Sequence, residues 1–139
     1  MEITPRCKRT IDYAEDAARR FGALRSSSPH LLLGLLSLKH GCAVQVLTNG
    51  GVTVEEVEDY LATVAPPAEA ALRDSIAAAV VRAVLEAQKA SHRYVGTEHL
   101  LLALLADEDK EASAVFTALG FSKTAARDLL LHVLHDEAA

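Results

Sequence analysis

The sequence has few of the residues that build β-sheets or large aromatic cores. It contains no tryptophan, and aromatic residues make up only 4% of its 139 residues, although half of all residues are hydrophobic. An apolar fraction made mainly of Ala, Leu and Val favours helices that pack through small and aliphatic side chains. No period-2 alternation is long enough to predict a sheet. The sequence therefore predicts an all-α protein, long enough to bury a core.

An excess of basic charge is also absent. The formal net charge is −5, and the basic residues near the start, Arg6, Lys8 and Arg9, are followed by interleaved acidic ones, as on a solvated helix face. Because binding to a phosphate backbone needs a basic surface, nucleic acid is excluded as an expected partner. The chain lacks 18 consecutive apolar residues and the apolar stretch of a signal peptide, so we expect a cytoplasmic protein without membrane contact.

Motifs that carry chemistry are missing as well. Cys7 and Cys42 lack the spacing of a zinc or redox site, so each is predicted to be a small buried apolar residue. No phosphate-binding loop, H-E-x-x-H zinc motif or G-x-S-x-G nucleophile turn is present. An enzyme that uses His92, Glu98 or His99 lacks a supporting constellation. We therefore expect no catalytic residue, no metal and no cofactor.

What the chain does contain is an internal repeat. Pro29–Leu36 reads P-H-L-L-L-G-L-L and Glu98–Leu105 reads E-H-L-L-L-A-L-L, at an offset of 69 residues. The same offset aligns further identical pairs without a gap: Ala14 and Ala83, Ala18 and Ala87, Ala43 and Ala112, Val46 and Val115, Gly51 and Gly120, and Leu61 and Leu130. Paired prolines cannot continue a helix, so they predict a first repeat at 1–65, a linker at 66–71 and a second repeat at 72–139. Since each half is small, we expect the two apolar faces to pack together about a pseudo-twofold axis.

Caps and apolar periodicity predict four helices in each repeat, and eight in total. Most of these helices start at a hydroxyl-bearing residue and end at a glycine or where the apolar pattern stops. The predicted helices are Thr4 to Gly22, Ser28 to His40, Cys42 to Thr48, Thr53 to Val64, about Arg73 to Ala90, one capped by Thr97, Glu111 to Leu119, and one capped by Ser122.

Two histidines stand at matching places directly before the leucine runs. We expect His30 and His99 to be partly buried and hydrogen-bonded within their own repeats, rather than to act as ligands or proton-transfer groups. The leucine runs are predicted to be core and not a binding groove.

The most specific stretch surrounds Gly96, Thr97 and Glu98. Gly96 lets the chain turn, Thr97 is predicted to cap the helix, and Glu98 lies in its first turn. Two interpretations stay open: Glu98 favours the positive end of the helix dipole, or it offers a carboxylate to a cation while the helix N–H groups hold an anion. The preceding loop is a predicted partner surface and contains His92, Arg93 and Tyr94.

The paired repeats, the motif Gly96-Thr97-Glu98-His99-Leu100-Leu101 and the opening Ile3–Arg9 resemble the Clp N (double Clp repeat) domain of ClpC-type unfoldases, over about residues 2–135. In that family the domain lies ahead of AAA+ ATPase rings, which are missing here, and receives substrates and adaptor proteins. The glutamate of each G-T-E-H motif is associated there with recognition of phosphorylated arginine. The resemblance therefore implies a phosphoarginine-like site at Gly96, Thr97 and Glu98. It also implies a degenerate first-repeat site at Ser27, Ser28 and Pro29, since Pro29 replaces the carboxylate.

Two classes of function follow from the resemblance. The first is a non-catalytic module that binds substrates, adaptors or phosphoarginine-marked proteins, either as a receptor domain or as a free-standing competitor that also meets cyclic peptide antibiotics. Met1 and the short polar tail are compatible with a free-standing form, and the choice between that form and an excised domain stays open. The second is a structural or regulatory interaction protein that kept the fold and lost the ligand site, which Pro29 favours. The oligomeric state is left open.

Overall fold

The computed structural model describes residues 2–20, 27–63 and 75–138, which form eight helices and one pair of two-residue strands. The elements are β1 (Glu2–Ile3), α1 (Pro5–Arg20), α2 (Ser28–Ser37), α3 (Cys42–Asn49), α4 (Val54–Thr63), α5 (Ser75–Lys89), β2 (Tyr94–Val95), α6 (Thr97–Leu104), α7 (Lys110–Ala118) and α8 (Lys123–Ala138). The all-α prediction with four helices in each half is confirmed. The linker at 66–71 and the predicted helix limits at Gly22, Val64 and Arg73 lie outside the described residues, so the division into domains stays a prediction.

Hydroxyl caps start three helices as predicted. Thr4, Thr53 and Ser122 each accept, through the side-chain oxygen, the N–H of the residue three positions later at 3.2 to 3.3 Å. The predicted end of α2 at His40 was wrong by one turn. The helix ends at Ser37 because Lys39 adopts a left-handed backbone with φ of 68°.

The expectation that no strand forms was wrong for four residues. β1 and β2 pair in parallel, with Glu2 opposite Tyr94 and Ile3 opposite Val95. The N–H of Thr4 extends the pairing by donating to the Val95 carbonyl at 3.0 Å. A two-residue strand is too short to show an alternating pattern, so the sequence gives no signal for it. The pairing holds the loop before α6 against the start of the chain.

The two leucine-rich helices form the centre of the molecule, as predicted. The leucines of the two runs are at most 5% exposed: Leu31, Leu32, Leu33, Leu35, Leu36, Leu100, Leu101, Leu102, Leu104 and, directly after α6, Leu105. Within the described ranges no single helix is long and apolar enough to cross a membrane. Taken together, α2 and α3 have the length and composition of a membrane span, but the pair is bent by 109° between the two helices.

The packing between the halves has the predicted pseudo-twofold symmetry. Contacts across the repeats come in matched pairs: α2 with α7 and α6 with α3, α3 with α8 and α7 with α4, and α1 with α6 and α5 with α2. The central pair, α2 and α6, contact each other directly. The leucine runs therefore bury each other across the axis, which is how two small halves share one core.

Two glycines allow close approaches that a side chain would block. A Cβ on Gly34 in α2 would overlap the backbone oxygen of Thr10 in α1. A Cβ on Gly50, after α3, would overlap the ring of Phe121, which comes from the other repeat. Phe121 also packs on Phe116 with ring centroids 5.0 Å apart. Both contacts fix helices at distances that the sequence alone does not reveal.

Candidate functional site at the helix N-termini

The N-terminus of α6 is closed by a histidine. The carbonyl of Gly96 accepts the first helical hydrogen bond, from the N–H of Leu100 at 3.1 Å, so Gly96 and not Thr97 is the cap. The Gly96 N–H donates to Nδ1 of His99 at 2.9 Å. Thr97, predicted to be the cap, is instead the first helical residue and is only 5% exposed. The cap is therefore supplied by a side chain from inside the helix, because glycine has none of its own.

Glu98 bends back over Gly96. Its Oε2 lies 3.0 Å from the position that a Cβ on Gly96 would take, and Cε2 of Tyr94 lies 3.5 Å from the same point. We call this feature the Gly96 notch: Gly96 forms its floor, and Glu98 and Tyr94 form its two walls. The half-buried carboxylate thus stands beside helix N–H groups that have no partner within α6. Such a notch suits a ligand that carries a cation next to an anion.

The Tyr94 wall of the notch packs against two histidine rings, those of His92 and His99. The rings of His92 and Tyr94 are stacked, with centroids 5.1 Å apart and planes 8° apart. Nδ1 of His92 and Nε2 of His99 are 2.8 Å apart, and the edge of His99 meets Tyr94 at 5.4 Å between centroids. Of the predicted partner surface, the structure therefore brings His92 and Tyr94 to the notch. Arg93, which lies between them in the sequence, is exposed.

Burial keeps the groups beneath the notch uncharged. It lowers the pKa of His99, and the neighbouring His92 lowers it further against the opposing charges of Glu98 and Glu86. Burial raises the pKa of the Cys7 thiol to about 11, with a smaller contribution from the charge of Glu98. Cys7 is 1% exposed, as predicted for a small buried residue, whereas Cys42 is half-buried.

The N-terminus of α2 has the same histidine cap. Ser27 and not the predicted Ser28 is the cap residue of α2, since its carbonyl accepts from Leu31 N–H at 3.1 Å. The Ser27 N–H donates to Nδ1 of His30 at 3.0 Å, and its Oγ lies 2.8 Å from the same nitrogen. Burial lowers the pKa of His30. His30 and His99 are thus buried and hydrogen-bonded within their own repeats, as predicted.

The surroundings of the α2 end are different. Ser27, Ser28 and Pro29, the predicted degenerate site, are all buried. The Ser28 hydroxyl donates to Oδ2 of Asp109 at 2.6 Å, and Arg82 donates to the same oxygen at 2.9 Å. A carboxylate and a guanidinium from the second repeat therefore cover the end of the first-repeat helix.

The sequence interpretation missed Asp109 and Arg82. Asp109 caps α7, since its Oδ1 accepts from Ala112 N–H at 3.0 Å, and aspartate before a helix was an available signal. Arg82 had no local signal, because 27 residues separate it from Asp109. In the part of the chain that the structure describes, no three His, Cys, Asp or Glu side chains are grouped so as to hold a metal ion.

Comparison with known proteins finds relatives that match nearly the whole of this chain. The chain is 33% identical over 137 residues to the chaperone protein ClpB of Oceanobacillus iheyensis. It is 32% identical over 145 residues to the ATP-dependent Clp protease ATP-binding subunit ClpC of Staphylococcus aureus. Each match covers 95% of this chain but only 17% of the relative, so the chain spans a small part of their length.

Two solved structures have the same fold. The N-terminal domain of the caseinolytic protease associated chaperone ClpD from Arabidopsis thaliana matches with a TM-score of 0.80 at 20% identity, over 96% of this chain and 94% of that one. The Hsp104 N-terminal domain from Candida albicans matches with a TM-score of 0.74 at 17% identity, over 96% and 91% of the two chains. The family description "Clp repeat (R) N-terminal domain" matches residues 2–119 and 71–138. Since these matches together span nearly the whole chain, the protein belongs to the Clp N family of Clp repeat domains, as its sequence motifs predicted.

Proposed function

We propose that this domain is a non-catalytic protein-binding module of the Clp proteolysis system, and that its ligand-binding residues are Gly96, Thr97 and Glu98. Its proposed ligands are substrates or adaptor proteins, and among them proteins marked by phosphoarginine. The observation that carries the proposal is the half-buried Glu98 carboxylate, folded over Gly96 beside the first turn of α6. Membership of the Clp N family supports the same class of function.

The chemistry of phosphoarginine fits the Gly96 notch. A guanidinium presents planar N–H donors that match a carboxylate, and here the carboxylate is Glu98. Phosphoryl oxygens suit the N–H groups and the positive dipole end of a helix N-terminus, here that of α6. The Tyr94 ring, 38% exposed, offers a face or edge to the cation. One modified side chain would thus meet all three parts of the notch.

The proposal gives one such site in each chain. At the α2 end, Pro29 replaces the carboxylate, and Ser28 already donates to Asp109 at 2.6 Å. The domain would act either as a receptor ahead of ATPase rings or as a free competitor for the same ligands. Cyclic peptide antibiotics, which the resemblance also implies, are a second proposed ligand class.

The buried α2 end also favours a second candidate function. In it, the protein is a structural or regulatory interaction protein that has kept the Clp N fold without binding a ligand at either helix. The two candidates differ in one observable property, which is binding of phosphoarginine at α6.

Calorimetric titration with a phosphoarginine peptide tests the first candidate. Wild-type protein should bind one peptide, and an unmodified arginine peptide should bind much more weakly. Glu98→Gln should weaken binding at least tenfold, since loss of a hydrogen bond to a charged group costs about 1.5 to 3 kcal/mol.

Glu55→Gln is a matched control. Glu55 is also the second residue of a helix, α4, and is exposed. The substitution Glu55→Gln therefore removes the same interaction with a helix dipole and leaves the notch unchanged. Its affinity for the peptide should equal that of the wild type. A wild-type protein that does not bind the peptide would remove the phosphoarginine assignment and favour the second candidate.

A further inference from the structure

The hydrogen bonds beneath the notch fix the protons on two imidazoles. The Gly96 N–H can only donate, so Nδ1 of His99 is its acceptor at 2.9 Å and the His99 proton lies on Nε2. That proton points at Nδ1 of His92, 2.8 Å away, which must then be an acceptor. The hydrogen-bond chain therefore runs from Gly96 through His99 to His92, with both rings neutral.

His92 supports two of the three residues of the notch. It stacks directly on Tyr94, with ring planes 8° apart. It also holds His99, which in turn holds the N–H of Gly96. Position 92 is thus the outer end of the chain, and it is half-buried, whereas His99 is fully buried.

We propose that His92 is a positioning residue for the ligand at the Gly96 notch, and that the notch binds its ligand well only while the His92–His99 pair is neutral. This inference rests on the proposed function. A proton added to the pair must enter at Nδ1 of either ring, and each of these nitrogens already accepts an N–H. Protonation therefore breaks either the link between the rings or the link to Gly96.

The titratable and charged groups around the pair come from four helices. Glu98 on α6 and Glu86 on α5 both favour a protonated His99, and burial opposes them. Glu86 is itself paired with Arg127 on α8 at 3.2 Å and with Lys89 at 3.9 Å, which offsets its charge. The Cys7 thiol on α1 is neutral, since burial raises its pKa to about 11. The net effect lowers the pKa of His99, so its ring is neutral at physiological pH and takes up a proton only on acidification.

The test measures the affinity for a phosphoarginine peptide between about pH 7.5 and about pH 5.5, where histidines titrate. The variants are His92→Asn and His92→Ala. An asparagine amide oxygen can accept from Nε2 of His99 at every pH but cannot be protonated in this range. The phosphoryl group of the peptide also titrates in this range, but it does so equally with every variant.

Wild-type affinity should fall by about fivefold more than that of His92→Asn over this range, the effect of losing one hydrogen bond. His92→Ala should already bind more weakly at the higher pH, whereas His92→Asn should bind nearly as well as the wild type there. In the ligand-free protein, ¹⁵N spectra should show Nδ1 of His99 without a proton. The Gly96 amide signal should move with both imidazoles in one transition.

Equal losses in the asparagine and alanine variants at every pH would overturn the positioning role, as would a His99 protonated on Nδ1. A wild type that binds the peptide with the same pH dependence as His92→Asn would overturn the requirement for a neutral His92–His99 pair, but not the proposed function. A wild type that does not bind at any pH would overturn the proposed function, and the positioning role with it.

Discussion

The N-termini of α2 and α6 are the two most instructive regions to compare. Both are capped in the same way, by a histidine three residues inside the helix that accepts the backbone N–H of the cap residue. They differ in what the opposite repeat places in front of them. Asp109 covers the α2 end, where Ser28 is fully buried, whereas Glu98 at the α6 end is half-buried. Both repeats thus have the same histidine cap, but the residues packed in front of the cap decide whether the helix end is accessible.

The offset of 69 residues explains why Asp109 and Arg82 cover the N-terminus of α2 while no equivalent pair from the first repeat covers that of α6. Asp109 corresponds to His40, and Arg82 corresponds to Tyr13. The first repeat therefore has neither the carboxylate nor the guanidinium that the second repeat sets against α2. Since His40 is exposed and Tyr13 half-buried, these positions have also taken different environments.

Removing the Asp109 side chain, which covers the N-terminus of α2, should have the largest effect on stability. Asp109→Ala takes away the acceptor for Ser28, Arg82 and the N–H of Ala112, and it leaves a partly buried guanidinium unpaired. We expect the free energy of unfolding to fall by about 3 kcal/mol. Urea titration followed by circular dichroism gives this value from the midpoint and slope.

The control for this substitution lies two residues away. Asp107 pairs with Lys123 at 2.9 Å, but its side chain is 91% exposed. Asp107→Ala should therefore leave the urea midpoint close to that of the wild type, because exposed ion pairs contribute little. Similar losses in both variants would contradict the distinction between the buried cover and the surface pair.

A smaller effect should come from exchanging the residues at the closest helix contact. Gly34 in α2 corresponds to Ala103 in α6, and only at Gly34 would a Cβ overlap the backbone of Thr10. Gly34→Ala should cost about 1 to 2 kcal/mol, since the overlap outweighs the higher helix propensity of alanine.

The reverse exchange, Ala103→Gly, should cost about 1 kcal/mol through lost helix propensity. Both variants are measured by urea titration. A Gly34→Ala variant that is more stable than the wild type would show that α1 and α2 can move apart without penalty.

The smallest effect concerns pH and should be shared by the two caps. The pKa of His30 and that of His99 are both lowered in the folded state. An unfolded histidine takes up a proton near pH about 6.5, so below this pH the unfolded state binds more protons and is favoured. Stability should therefore be greatest above about pH 6.5 and should fall as the pH drops through the folded-state values.

Variants His30→Gln and His99→Gln separate the two contributions. Each should reduce the slope of unfolding free energy against pH below about pH 6.5, whatever its effect at neutral pH. The slopes, and not the absolute stabilities, are compared. A wild-type protein that gains stability on acidification would contradict the buried neutral state of both rings.

Much of the fold could be predicted from sequence because its signals are local or repeated. Thr4, Thr53 and Ser122 cap helices with their own side chains, and the leucine runs before and after the linker mark the core. The matching positions of His30 and His99 correctly indicated buried, hydrogen-bonded histidines.

The errors have physical causes that hydroxyl caps and apolar periodicity do not reveal. Ser28 and Thr97 look like caps, but they are the first helical residues, and the cap residues are Ser27 and Gly96, whose N–H groups donate to His30 and His99. The β1–β2 pair depends on a contact between Glu2 and Tyr94, which are distant in sequence. The Arg82–Asp109 pair is likewise tertiary. The ligand of the Gly96 notch stays a prediction, because it depends on a molecule outside the chain.

The ring of Phe121 over Gly50 has a consequence for how a duplicated protein diverges. By the offset of 69, Phe121 corresponds to Val52, and Gly50 corresponds to Leu119. Two copies of the first half would set a valine where the phenyl ring now fills the space. Two copies of the second half would force that ring onto a leucine. At this contact the halves have thus become complementary rather than interchangeable, and neither half paired with itself would restore it.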